Sequence, residues 1–135
     1  QVDQALEVYR ESFNPDAVTA QIDAPYVMAG INVMVADTDK EEEKEFTVVE
    51  QMFLDVQRGA MRKIQPPVDP ESLDGVHGRN NPMLRIKAVG TQEKVTAELR
   101  AFVERTQADE LITTTYAFDP EARDRSLQLL ADAWM

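Results

Sequence analysis

The 135-residue chain has the length of one ordinary domain, and its 43% hydrophobic and 29% charged residues lie near globular averages, which excludes a wholly disordered chain. A formal net charge of −11 with no Lys/Arg-rich tract argues against nucleic acid, because the long-range field would repel a phosphate backbone. No apolar run approaches the roughly 20 residues of a membrane helix, and the lack of cysteine excludes disulfides, thiol catalysis and thiolate metal sites. No metal site is expected, and a protein of the reducing cytoplasm is.

Taken in chain order, the first element is a helix. Val2, Ala5, Leu6, Tyr9 and Phe13 recur at helical spacing, and Asn14-Pro15 stops them. Pro25 leads into YVMAGINVMVA, Tyr26 to Ala36, where apolar residues occupy both parities as in a parallel-type strand covered on both faces. Thr38 and Glu41 form a capping box, and Phe46, Val49, Phe53 and Val56 make one apolar stripe of a long helix ending near Gly59. Its acidic start, including Glu42 and Glu43, reads as an exposed face.

Residues 60–83 carry Pro66, Pro67, Pro70, Gly75, Gly78 and Pro82 and read as an irregular, lid-like loop. This stretch belongs to a basic middle between acidic flanks; Arg62, Lys63, Arg79, Arg85 and Lys87 fit either anion attraction or a solvated loop. His77, the one histidine, suits a solvent-facing loop better than a proton-carrying lid. Then LRIKAV is a short strand, Gly90-Thr91 a turn and cap, and Val95, Leu99, Phe102 and Val103 the buried face of a helix. ADELITTTY supplies a third strand over 110–116, and Asp119-Pro120 begins a last helix.

Repeated βα units imply an α/β protein with parallel strands. Three strands make a poor closed structure, and the chain opens on a helix with no strand of its own to cross from. A single partial domain spanning 1–135, the piece of a larger α/β protein, is therefore expected, completed by a missing N-terminal half or by self-association into a homo-oligomer.

Four stretches in register, ALEVYRESFNP, VMVADTDKEEE, VGTQEKVTAELRAFVERTQADELITTT and DPEARDRSLQLLA, resemble the C-terminal part of luciferase-like flavin-dependent monooxygenases. The resemblance covers nearly the whole chain. It implies the C-terminal part of a TIM (β/α)8 barrel, about three parallel βα units plus a preceding helix and a long loop. It also implies reduced FMN, supplied by a flavin reductase, and a small organic substrate oxidised with O2. F420 is the cofactor of a sister branch, and a non-catalytic assembly module is the rival reading. Relatives commonly carry a glycine-serine-proline-glutamate turn where this chain has Gly90, Thr91, Gln92 and Glu93, so proline's preset φ is lost. Much of the flavin-phosphate and catalytic apparatus would lie on earlier strands, which leaves the catalytic residues unassigned.

Barrel ligands sit at the carboxyl ends of the strands. Thr113, Thr114, Thr115 and Tyr116 collect at such an end, and Thr115 and Tyr116 are the candidates for flavin or substrate contact, against plain strand packing. Gly90 and Thr91 open a helix whose free amides could hold a phosphate, although a plain cap is the better reading.

Overall fold

The computed structural model describes residues 1–73 and 78–135, so His77 lies outside the described residues. Helix α1, Val2–Ser12, is followed by strand β1, Met28–Val35, and helix α2, Asp39–Arg58. Two short 3-10 turns, Pro70–Ser72 and Pro82–Leu84, lead to β2, Lys87–Gly90; then come α3, Gln92–Thr106, β3, Glu110–Thr114, and α4, Pro120–Trp134. The strands form one parallel sheet in the order β2-β1-β3.

β1 has eight residues against four in β2 and five in β3, so each neighbour takes one half of it. β3 pairs with Met28 through Asn32, and β2 pairs with Asn32 through Val35. Asn32 is the residue both registers share. Beyond it β3 has left the sheet, and the Val35 amide, which would otherwise lack a partner, donates to Ser126 Oγ on α4 at 2.8 Å.

One face of the sheet is sealed by helices. Val27, Ala29, Ile31, Val33 and Val35 point into a core with Ala88, Val95, Leu99, Phe102 and Leu129, and Leu6 of α1 packs against its margin. The opposite face divides in two. At its carboxyl end Met34 and Val89 are buried under Phe46 and Val49 of α2, with Leu84 closing the cluster. At its amino end Met28 and Ile112 are 55% and 49% exposed, and Gly30 between them is exposed as well. The even-numbered half of β1 is thus covered only where α2 reaches it, whereas apolar residues on both parities predict cover along the whole strand. In a (β/α)8 barrel the helices ring the outside and the other strand face lines the interior; here α2 lies over the carboxyl end of that other face and leaves its amino end bare.

The caps of α2 and α4 are those the sequence predicts. Thr38 Oγ1 accepts from the Glu41 amide at 3.2 Å, and Gly59 ends α2 at φ 65°. Asp119 Oδ1 accepts from the Glu121 amide at 3.0 Å ahead of Pro120. Arg10 Nη2 donates to the Thr106 carbonyl at 2.6 Å and ties α1 to the end of α3. Pro66, Val68 and Asn81 are strapped to α2: Val68 N donates to Thr47 Oγ1 at 3.0 Å, Gln51 Nε2 to the Pro66 carbonyl at 3.1 Å, and Gln57 and Asn81 exchange amide bonds at 3.1 and 3.2 Å.

Gly90 joins β2 to α3 at φ 143°, where a side chain is strained, and a Cβ there would also stand 2.7 Å from Lys94 Cδ. Gly90→Ala is expected to cost about 1–3 kcal/mol, most of it backbone strain because the Lys94 stem can move aside. Urea unfolding of the two proteins measures the difference.

Candidate functional site

The carboxyl ends of the strands are set by three exits: Ala36-Asp37 after β1, Gly90-Thr91 after β2, and Thr115 through Phe118 after β3. At the first exit Arg125 of α4 clasps Asp37 with two bonds, Nη2 to Oδ1 at 2.7 Å and Nε to Oδ2 at 3.1 Å. The Arg125 hydrogen bonds hold the Asp37 carboxyl below its ordinary range. The cation is therefore committed within the chain. At the second exit Thr91 is the N-cap residue of α3 by backbone geometry, but its hydroxyl makes no capping bond, in contrast to the cap the sequence predicts. The first turn of α3 is held through Gln92 instead, whose Nε2 donates to the Leu129 carbonyl at 2.8 Å.

The third exit decides which polar residues can meet a ligand. Leu111 and Thr113 border an apolar groove of about 220 Å³ with Leu99, Leu127 and Leu130, on the helix-covered side. Ile112 and Thr114 take the other parity and share the bare face with Met28, Gly30 and Asn32. There Thr114 Oγ1 donates to Asn32 Oδ1 at 2.6 Å, an uncharged hydroxyl-amide pair on adjacent strands. The Asn32 side chain keeps its NH2 donors for other partners. Tyr116 is 37% exposed just past the strand, and the Thr115 hydroxyl is buried with no hydrogen-bond partner among the described residues.

Of the four residues singled out in the sequence, then, Thr115 and Tyr116 stand at one exit and Gly90 and Thr91 at another. Asn32 and Thr114, the pair on the bare face, are the additions. A lone Asn inside GINVMV was the available signal, since an amide in an otherwise apolar strand needs a polar partner. A larger groove of about 450 Å³, lined by Val2, Asp3, Met83, Arg85, Ile86 and Arg105, lies at the amino end of β2, away from this rim.

A charged cluster braces the rim from the side of α2. Glu42 is 1% exposed and accepts from Arg79 Nη2 at 2.7 Å, while the Arg79 guanidinium lies 5.4 Å from the Phe46 ring centre. This corrects the reading of Glu42 as an exposed helix-start acid; Glu43 is exposed, and Glu42 turns inward to meet a cation from the loop. Glu50 is buried on the same face, and Lys87 Nζ donates to the Leu84 and Arg79 carbonyls at 3.0 and 3.2 Å. Burial raises the pKa of Glu42, against the pull of Arg79, and raises that of Glu50. Burial lowers that of Lys87, with Arg79 adding to it. Lys87 is the register partner of Asn32, so the cluster stands directly beside the hydroxyl-amide pair. Among the described residues no group of three or more His, Cys, Asp or Glu could hold a metal ion, and no helix is long and apolar enough to cross a membrane.

With the geometry in place, comparison with known proteins gives the family. The chain is 32% identical to a luciferase-like monooxygenase of Escherichia coli K12, over 96% of its own length and 38% of that protein. The chain corresponds to a segment of the luciferase-like monooxygenases. It is also 38% identical to the uncharacterized protein YvbT of Bacillus subtilis, over 96% of the chain and 39% of YvbT. The crystal structure of apo-MsnO8 matches its fold with a TM-score of 0.79 at 23% identity, over 98% of the chain and 41% of MsnO8. This luciferase-like chain therefore spans well under half the length of the relatives it matches, as a partial barrel does. No protein-family model matches it.

Arg79→Ala is expected to destabilise this segment by about 3 kcal/mol, the lower end for stripping the partner from a buried carboxylate, since Arg79 is itself partly exposed. Urea unfolding at pH 7 measures the loss. Glu42 has a raised folded-state pKa, so its favourable contribution is present at low pH and is lost as pH rises through that value. The Arg79→Ala deficit should accordingly shrink on acidification toward pH 5.

Proposed function

We propose that the chain supplies part of the flavin and substrate site of an FMN-dependent monooxygenase, an enzyme of the cytoplasm that oxidises a small organic substrate with O2 and reduced flavin from a separate reductase. The observation that carries this reading is the polar pair Asn32–Thr114, set on the bare face of a luciferase-like partial barrel and bordered by Met28, Gly30 and Ile112. An amide, a hydroxyl and a phenol among apolar side chains suit a heteroaromatic ring that needs both a flat apolar wall and a few fixed hydrogen bonds.

The residues present fit the ring of a flavin better than its phosphate. Thr115 offers a buried hydroxyl without a partner, and Tyr116 an accessible one. Arg125, beside the first exit, is paired with Asp37, which lessens its pull on an anion there. Gly90 and Thr91 remain the candidates for a lesser contact, through a hydroxyl that capping does not use. In this reading the flavin, when bound, supplies electrons and activates oxygen, while the chain orients the ring and keeps water from one side of it. The phosphate anchor and the catalytic residues belong to the rest of the barrel. Those same strands would cover Met28 and Ile112 and complete the sheet edges, a role that a second copy takes only when they are missing.

The test uses the complete barrel that contains this segment. FMN retention and reductase-driven substrate oxidation are expected, with F420 binding weaker. Retention of F420 instead would assign the protein to the sister branch, and a complete barrel blind to both cofactors would favour an assembly module. Within an FMN-binding protein, Thr114→Val and Tyr116→Phe should each weaken flavin or substrate binding by about 1 kcal/mol, the worth of one neutral hydrogen bond. Binding and turnover matching the parent in both variants would contradict the assignment.

A further inference from the structure

Two buried polar atoms among the described residues have no hydrogen-bond partner, Thr115 Oγ1 and Glu45 Oε2. Both border the turn that leaves β3. Thr115 begins that turn, and Ala117 in its middle packs against the cluster of Met34, Phe46 and Val49. Phe46 follows Glu45 directly on α2, and Asp119 at the end of the turn is near enough to act on the Glu45 carboxyl. A carboxylate oxygen shut away from water without a donor is rare in folded proteins, and two orphaned oxygens around one turn are rarer.

We propose that Glu45 is a ligand-positioning residue whose carboxyl donates a hydrogen bond to a carbonyl oxygen of the flavin ring or of an aldehyde substrate, with the Thr115 hydroxyl as a second contact. The inference rests on the reading of this rim as the flavin and substrate site. Its chemistry follows from the surroundings of Glu45. Burial acts most strongly to raise its pKa, Asp119 across the turn adds to this, Lys44 on its own helix opposes it, and Glu41 one turn back adds again. These effects shift Glu45 toward the neutral acid, the form that has an O–H to give. Its natural partner is an uncharged acceptor. An anionic group would meet Asp119 and the acidic start of α2, so the site selects against a sulfonate or carboxylate at this position.

The experiment compares the complete barrel with its Glu45→Gln, Glu45→Leu and Thr115→Val variants, using FMN and octanal as probes. FMN affinity is read by fluorescence quenching across pH 5–9, octanal affinity by its KM, and both carbonyl stretches by difference infrared spectroscopy with labelled carbonyls. In the parent, the affinity of whichever probe is held should fall as pH rises through the Glu45 pKa. Glu45→Gln, which keeps a donor, should bind nearly as the parent does and lose the pH dependence. Glu45→Leu should bind about five-fold more weakly, with its carbonyl stretch moved to higher frequency. A shift confined to the flavin carbonyl identifies the ring as the ligand, and one confined to octanal identifies the substrate. A parent that retains no FMN overturns the cofactor reading and this inference with it. A parent that retains FMN, with all three variants unchanged in affinity, pH profile and carbonyl spectrum, overturns this inference alone.

Discussion

β1 is the strand on which the rest of the structure depends, because it pairs with a different neighbour along each half. The amino half gives its hydrogen bonds to β3 and the carboxyl half to β2, with Asn32 common to both. Three consequences follow from that split register. The odd residues of β1 face a continuous helix-covered core, since both neighbours contribute to the same layer. β3 is free to turn away after Thr114, which carries Thr115 and Tyr116 out to the rim. Val35 must find a donor's partner off the sheet, and Ser126 provides it, fixing α4 against the strand end.

The opposite face shows how a barrel segment differs from a complete domain. Hydrophobic burial is worth roughly 25 cal/mol per Å² of apolar surface, so side chains such as Met28 and Ile112 would not be left half in water by a finished fold. Their exposure, a short sheet and a match to under half of each relative describe the same incompleteness. The polar pair Asn32–Thr114 lies in that bare surface and not in the sealed core. A hydrogen bond between uncharged groups there leaves the amide donors and a hydroxyl lone pair for a third party, whereas a salt bridge would consume both partners.

Local chemistry made the element boundaries legible. Thr38, Gly59 and Asp119-Pro120 carry their cap signals within four residues of sequence, and each appears where those signals put it. Pairings across distance were not legible. Glu42 reads as an exposed helix-start acid because its partner, Arg79, comes 37 residues later from an irregular loop. Asn32 and Thr114 are 82 residues apart and meet only through the parallel register. The same register explains the altered place of the threonines: Thr113 falls on the groove side and Thr114 on the bare side, a distinction that needs the face of the strand and not only its composition. Nor could sequence alone foresee that Thr91 would cap by backbone without using its hydroxyl.

In the proposed function the helix-sealed face of this sheet stays apart from the ligand, while the carboxyl end of β3 on the other face meets it. Methyl-selective NMR of the complete barrel, with FMN added to protein labelled at threonine, leucine and valine, tests this most directly. Chemical-shift changes and flavin contacts are predicted at Thr114 and Thr115, with Val33, Leu99 and Leu129 unmoved. Changes confined to those three core residues, or flavin binding that leaves Thr114 and Thr115 untouched, would contradict it.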